Sequence, residues 1–133
     1  MVIKSKKILS EISTGELLDK ISILEIKLEK IKDKISLNEV RKEYKILKEV
    51  QNSSLELTEK MKALFNEIKE VNLNLWNIED NLRICEKNKD FEQNFIKLAR
   101  DVYLNNDRRA KIKSEINEAS GSYIKEIKQY VDY

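Results

Sequence analysis

The stretch Leu75-Trp76-Asn77-Ile78-Glu79-Asp80-Asn81-Leu82-Arg83 holds the residues of this chain best suited to chemistry. Trp76, Glu79 and Arg83 are spaced three and four apart, so a helix carries them as one stripe. Asn72 and Glu86 extend its polar edge. One reading is a pocket wall with an aromatic platform, in which Arg83 holds a phosphate or carboxylate through two parallel hydrogen bonds. The plainer reading packs Trp76 against a neighbouring helix and leaves Glu79 and Arg83 as a surface i,i+4 pair. A second stretch runs Asn105-Asn106-Asp107-Arg108-Arg109-Ala110-Lys111-Ile112-Lys113. If Asn105 to Asp107 open a helix, free amide donors and adjacent arginines together make an anion site. Otherwise this is a capped helix start with solvated basic residues. Arg109, Lys113 and Asn117 are one turn apart and line one edge, which spacing alone does not assign to surface or cleft.

Carboxylates recur at i,i+3: Glu16 with Asp19, Glu56 with Glu59, Glu67 with Glu70, and Glu115 with Glu118. All-α nucleotide pyrophosphohydrolases use such pairs on facing helices to hold Mg²⁺, yet a charge-rich heptad sequence also generates them by chance. The composition is more restrictive. With no His and one Cys, zinc sites of the usual N/S type are excluded, and the commonest general base near neutral pH is missing. Cys85 falls on an apolar stripe and reads as a small hydrophobe. One Cys forms no internal disulfide, which fits a reducing, cytoplasmic setting. The net charge of +2 is a near-cancellation of 26 basic and 24 acidic side chains. Interspersed signs without a basic face argue against nucleic acid. No apolar run approaches the length of a membrane span, and no signal-peptide core is present.

The elements that must position these residues are helices. Gly occurs twice and Pro never, which excludes a turn-rich β architecture. Leu57, Met61, Leu64, Ile68, Val71, Leu75, Ile78, Leu82 and Cys85 alternate four and three apart over four heptads. A helix over about residues 54–87 would be roughly 50 Å long, whereas a compact chain of this length has a radius of gyration near 14 Å. The expected fold is therefore all-α: an elongated antiparallel helical bundle, one domain over 1–133, with this helix as its centre. Residues 1–12 are expected to be a flexible basic start, with Lys4, Lys6 and Lys7.

Ser13-Thr14-Gly15-Glu16 reads as a capping box, with Ile12 and Leu17 placed as a hydrophobic staple. The first helix then carries Leu17, Ile21, Leu24, Leu28, Ile31 and Ile35 on one stripe. Ile23 and Ile26 lie off it, so that helix should touch more than one neighbour. Ser36-Leu37-Asn38-Glu39 is a second box, stapled by Ile35 and Val40, and Asn52-Ser53-Ser54 marks a break before the central helix. The central helix should end near Asn88-Lys89-Asp90. Asp90 with Gln93 then caps a fourth helix that turns Phe91, Phe95, Leu98 and Val102 inward. A re-capping point is expected at Asn105 to Asp107. Gly121 suits a helix end, with a last short helix through Ile124, Ile127 and Val131.

Several motifs in this order look alike to a known group. Gly-Glu-Leu-Leu-Asp-Lys (15–20) is followed by Ile-Leu-Glu-Ile-Lys (23–27), Leu-Trp-x-Ile-Glu-Asp-x-Leu-Arg (75–83) and Asn-Asp-Arg-Arg-Ala-x-Ile-Lys (106–113), with Glu126, Lys128 and Tyr130 near the end. Over nearly its whole length the chain resembles a family of small helical proteins of bacteria and their viruses with no assigned function. The resemblance implies no activity. It does imply a set of positions: Lys20, Glu25, Lys27, Trp76, Glu79, Asp80, Arg83, Arg100, Asn106, Asp107, Arg108, Arg109, Lys113 and Lys128. So polar a set points toward a cleft between the central and later helices.

Two functions stay open. The first is a non-enzymatic scaffold or protein-interaction module, self-associating along an apolar edge. It is favoured because each motif's bland explanation suffices on its own. The alternative is a binding protein or enzyme for a small anionic or sugar-containing ligand. There Arg83, Arg108 and Arg109 would hold the anion, Trp76 would stack, and Glu79 with Asp80 would be polar or metal-linked groups. No catalytic residue, cofactor or bound metal is assigned.

Overall fold

The computed structural model describes residues 5–133. Its order is α1 (Thr14–Lys30), α2 (Lys34–Ser54), α3 (Glu59–Asn88) and α4 (Gln93–Ser120), packed as a helical bundle. Lys4 of the basic start lies outside the described residues; residues 5–13 have no regular secondary structure. Among the described residues no helix is long and apolar enough to cross a membrane.

Local chemistry fixes the helix ends. Ser13 caps α1, its Oγ accepting the Glu16 amide at 3.1 Å, which is one half of the expected box; the Glu16 carboxylate pairs with Lys113 and Lys20 instead of reaching back to the cap. The second cap falls three residues earlier than the sequence suggested. Asp33, not Ser36, accepts both the Ser36 amide (2.9 Å) and the Ser36 hydroxyl (2.6 Å). A carboxylate outcompetes a hydroxyl as acceptor for the free N-terminal amides. Ile35 thereby moves onto α2 and stays 78% exposed, so it staples nothing. The break before the central helix is real but lies at residues 55–58. Asn52 to Ser54 form the last turn of α2, and Thr58 caps α3 through the Met61 amide at 3.2 Å. Leu57 therefore precedes the helix whose stripe it seemed to begin.

Lys89 ends α3 in the left-handed region (φ 55°), and the Asp90 amide donates back to the Cys85 carbonyl at 2.9 Å. Gly121 ends α4 in the same way (φ 63°), where the missing Cβ removes the cost of that conformation. Asp90 accepts the Glu92 amide at 3.2 Å and shapes the turn, but Glu92 occupies the cap position without a side-chain bond. Phe91 is 49% exposed and stacks edge-on with Phe95 instead of turning inward.

Two expected features of the last third are absent. No re-capping occurs at Asn105 to Asp107, because α4 runs unbroken through them. The Asn105 amide side chain donates to the Asp101 carbonyl one turn back at 2.8 Å. Asn and Asp cost a helix only a few tenths of a kcal/mol each, too little to break one packed along α1 and α3. Nor does a helix follow Gly121. Residues 122–133 lie back along α4 with Ile127 and Val131 85% and 88% exposed. A single short turn of helix is unstable without a face to bury, and no neighbour offers one.

Antiparallel pairing of α1 with α4 follows from the contacts Gly15–Asn117, Glu16–Lys113 and Asp19–Arg109, which climb one helix while descending the other. α3 and α4 form an antiparallel hairpin, and α1 lies across it: Asp19 and Ser22 meet Asn72 of α3, while Glu25 and Glu29 both reach Lys69. The shared element is α1, which packs against all three other helices, while α2 packs against α1 alone. This accounts for Ile26, off the main stripe yet 1% exposed.

The core sits at one end of the hairpin. Leu17, Leu18 and Ile21 meet Met61, Leu64, Ile68, Val71 and Leu75, with Ile112 and Ile116 closing the third side. Past Leu75 the stripe loosens: Ile78 and Leu82 are half-buried and Cys85 alone continues the buried series. The distal half of the hairpin thus extends beyond the core.

Candidate functional site

Where α1, α3 and α4 meet, the core gives way to a buried polar network centred on Asp19, which is fully buried. Its Oδ1 accepts from Asn72 Nδ2 (2.9 Å) and Arg109 Nε (2.9 Å), and its Oδ2 accepts from a terminal guanidinium nitrogen of Arg109 at 2.5 Å. This is the two-pronged geometry that makes guanidinium–carboxylate pairs strong. Asn72 also donates to the Ser22 hydroxyl at 2.8 Å. One turn along α4, Lys113 is bound by Glu16 (2.6 Å) and Glu126 (2.8 Å), with Asp19 at 4.0 Å. A further turn on, Asn117 accepts the Gly15 amide at 2.7 Å. A Cβ at Gly15 would lie 2.6 Å from the Lys113 carbonyl, so only glycine lets the helices approach this closely.

The edge formed by Arg109, Lys113 and Asn117 is thus interior. Charge is retained there because each cation has its acid. The hydrogen bond to Asp19 raises the Arg109 pKa against the opposing effect of burial. Burial lowers that of Lys113, but hydrogen bonds to Glu126 and Glu16 outweigh it and leave the ammonium harder to deprotonate than usual. The bond from Lys113 holds Glu126 below its ordinary value.

On the solvent side of the network lies an open groove of about 430 Å³, lined by Ile23, Asn72, Leu75, Trp76, Glu79, Asp80, Arg83, Asn106 and Arg109. Six of the sequence-derived candidates converge here: Trp76, Glu79, Asp80 and Arg83 from α3, and Asn106 and Arg109 from α4. Trp76 is half-buried, leaving part of its ring in the groove. Arg83 donates to the Glu79 carboxylate at 2.7 Å, and both side chains remain substantially exposed.

The other candidates sit elsewhere. Arg108 is exposed and does not line the groove, and Arg100 is likewise exposed. The Asp107 carboxylate accepts the Tyr133 hydroxyl at 2.5 Å. Lys113 belongs to the buried network, and Lys128 lies 3.9 Å from Glu126. Lys20 pairs loosely with Glu16 at 3.7 Å. Glu25 joins Tyr44 (3.1 Å) and Lys69 (3.2 Å), tying α1 to α2 and α3, and Lys27 lines a shallow recess between α1 and α2. The anion site expected from a helix start at Asn105 to Asp107 is overturned, since those amides are inside α4.

Gly15 and Ser22 were not among the expected site residues, and Glu16 with Asp19 stood out only as one of four acid pairs. Their signal was present: an i,i+3 acid pair on α1 facing Arg109 and Lys113 at i,i+4 on α4. Sequence spacing shows such complementarity only once the two helices are known to be neighbours.

Fold and site together define an all-α bundle that joins its helices through buried ion pairs and opens a mixed aromatic and polar groove beside them. Over residues 8–132 the chain matches a protein family described as a family of unknown function (DUF6165), and it belongs to that family. No curated protein and no solved structure matches it.

Proposed function

We infer that this protein binds a small sugar-containing ligand in the groove between α3 and α4. The observation that carries the reading is the meeting of Trp76, Glu79, Asp80, Asn72 and Asn106 on one open surface of about 430 Å³. The part of the Trp76 ring left in the groove suits the C–H face of a sugar ring, while carboxylates and amides accept and donate to its hydroxyls. Charge separates this ligand from a simple anion. The two carboxylates and two guanidiniums of the lining cancel, and Asp19 directly behind Arg109 tips the local balance negative. Both arginines already have an acid partner, so a bare phosphate would have to compete for them.

The test is thermal unfolding and Trp76 fluorescence against neutral sugars, sugar phosphates, nucleotide sugars and divalent metals. A ligand at 100 times its dissociation constant adds about 2.7 kcal/mol, a shift of several degrees for a domain of this size. Stabilisation by sugar-bearing compounds, lost in Asp80→Asn and in Trp76→Ala, is expected. Stabilisation by simple anions alone, or a hit that survives both substitutions, would overturn the reading.

The scaffold reading has an observation of its own. The distal half of the hairpin exposes Ile84, Phe91, Ile96, Tyr103 and Leu104, each at least 40% accessible. Exposed apolar side chains of this kind suit self-association or a helical partner. A protein that sediments as a monomer over a wide concentration range would remove the self-association part.

A further inference from the structure

On the other side of the buried network, α4 and the chain after Gly121 enclose a second pocket of about 280 Å³. Its polar lining is Lys111, Lys113, Ser114, Asn117, Glu126 and Lys128. Three ammonium groups and one carboxylate line it, whereas the charges lining the groove cancel; behind Lys113 stand Glu16 at 2.6 Å and Asp19 at 4.0 Å. The Lys113 side chain is 8% exposed, and its two close acids differ in kind. Glu16 stands on α1, held by the Ser13 cap and the tight Gly15 contact. Glu126 stands on the non-helical tail and is 40% exposed. The tail is otherwise held by Lys125 to Glu118 at 3.0 Å, the Thr14 amide to the Ser122 hydroxyl at 3.1 Å, the Ser122 amide to the Asn117 carbonyl at 2.9 Å, and Tyr133 to Asp107 and edge-on to Tyr103.

We propose that this pocket is a binding site for a phosphoryl group, and that Glu126 occupies the anion position when the site is empty. Release of Glu126 leaves Lys113 with Glu16 in direct contact and Asp19 at 4.0 Å, and frees Lys128, 3.9 Å from the Glu126 carboxylate. Lys111 and the Ser114 hydroxyl stand beside them. Asn117 accepts the Gly15 amide through its oxygen, which leaves its NH₂ as a further donor. A phosphate dianion uses these donors more fully than a carboxylate does, because it offers three acceptor oxygens and more charge. The pocket is also larger than a carboxylate requires, so the phosphoryl group has room to carry a small body. The depressed pKa of Glu126 and the raised pKa of Lys113 fit the pairing that the ligand must replace. This site is independent of the sugar reading of the groove and stands if that reading fails.

Amide NMR of the ¹⁵N-labelled full chain, titrated with inorganic phosphate and separately with glycerol 3-phosphate at constant ionic strength, tests it. Saturable shifts confined to residues 110–117 and 122–133 are expected. Glu126→Gln removes the internal competitor and should tighten binding at least five-fold. Lys111→Ala with Lys128→Ala, both at exposed positions that leave the fold intact, should weaken it at least ten-fold. Tighter binding of glycerol 3-phosphate would identify an esterified ligand, and equal binding a free phosphate. Shifts that fail to saturate, or a Glu126→Gln protein that binds no more tightly than the parent, would overturn the proposal.

Discussion

Replacing Asp19 with Asn removes one negative charge from the centre of the bundle while keeping the side chain's size. The carboxylate is fully buried and accepts three hydrogen bonds, two from Arg109 and one from Asn72. Asn cannot accept all three, and its NH₂ would face donors. Removing one partner of a buried ion pair costs about 3–5 kcal/mol, because the other charge is left uncompensated. The Arg109 side chain is 29% exposed, so its guanidinium can turn partly toward water. The loss should therefore sit at the low end, about 3 kcal/mol. For a chain of this length that corresponds to a fall of roughly 10 °C in the unfolding midpoint. Urea unfolding followed by Trp76 fluorescence and by helical circular dichroism measures it. Arg109→Met and the double variant complete a thermodynamic cycle. The two single losses should exceed the double loss by at least about 1 kcal/mol, since removing both charges removes the uncompensated one. A loss below about 1 kcal/mol for Asp19→Asn, or strictly additive effects, would refute the claim that this pair joins α1 to α4.

Three further outcomes are expected. Gly15→Ala places a Cβ 2.6 Å from the Lys113 carbonyl and should destabilise by about 1–3 kcal/mol in the same urea assay, whereas a merely helical glycine would gain from alanine. Asn105→Ala should be neutral or stabilising by a few tenths of a kcal/mol if α4 is continuous, while loss of a true N-cap would cost about 1 kcal/mol. Docking of the tail should depend on pH at both ends. The lowered pKa of Glu126 makes its contribution present above the unfolded value of 4.5 and lost as pH falls through the folded value. The raised pKa of Lys113 gives a contribution present below 10.5 and lost above the folded value. Proteolytic cleavage within residues 122–133 should therefore accelerate in acid and in strong alkali and be slowest between. A cleavage rate flat across pH, after correction for protease activity, would refute the ion-pair anchor.

Much of the architecture follows from local physics. The four-three spacing from Met61 to Leu75 demands a helix with one buried face, and the absence of proline leaves nothing to interrupt it. The Ser13 cap and the left-handed end at Gly121 depend on neighbours within a few residues and were legible for that reason. The caps at Asp33 and Thr58 were misplaced by a few residues, because Asp, Ser, Thr and Asn stand close together and each can accept an N-terminal amide. The continuity of α4 past Asn105 and the non-helical path of the tail were decided by packing energy, which outweighs the small propensities that marked those positions.

The candidate site divides the same way. That Trp76, Glu79, Asp80 and Arg83 share a helix face is a property of the sequence, fixed by 3.6 residues per turn. Which helix meets that face is not. Only the packed bundle brings Asn106 and Arg109 opposite Trp76, turns Arg108 away to solvent, and buries Lys113 between Glu16 and Glu126. Periodicity orders residues around one helix axis. Neighbours, and the burial that gives a charge its weight, arise when several axes pack together, and here the close approach at Gly15 and the Asp19–Arg109 pair set that arrangement.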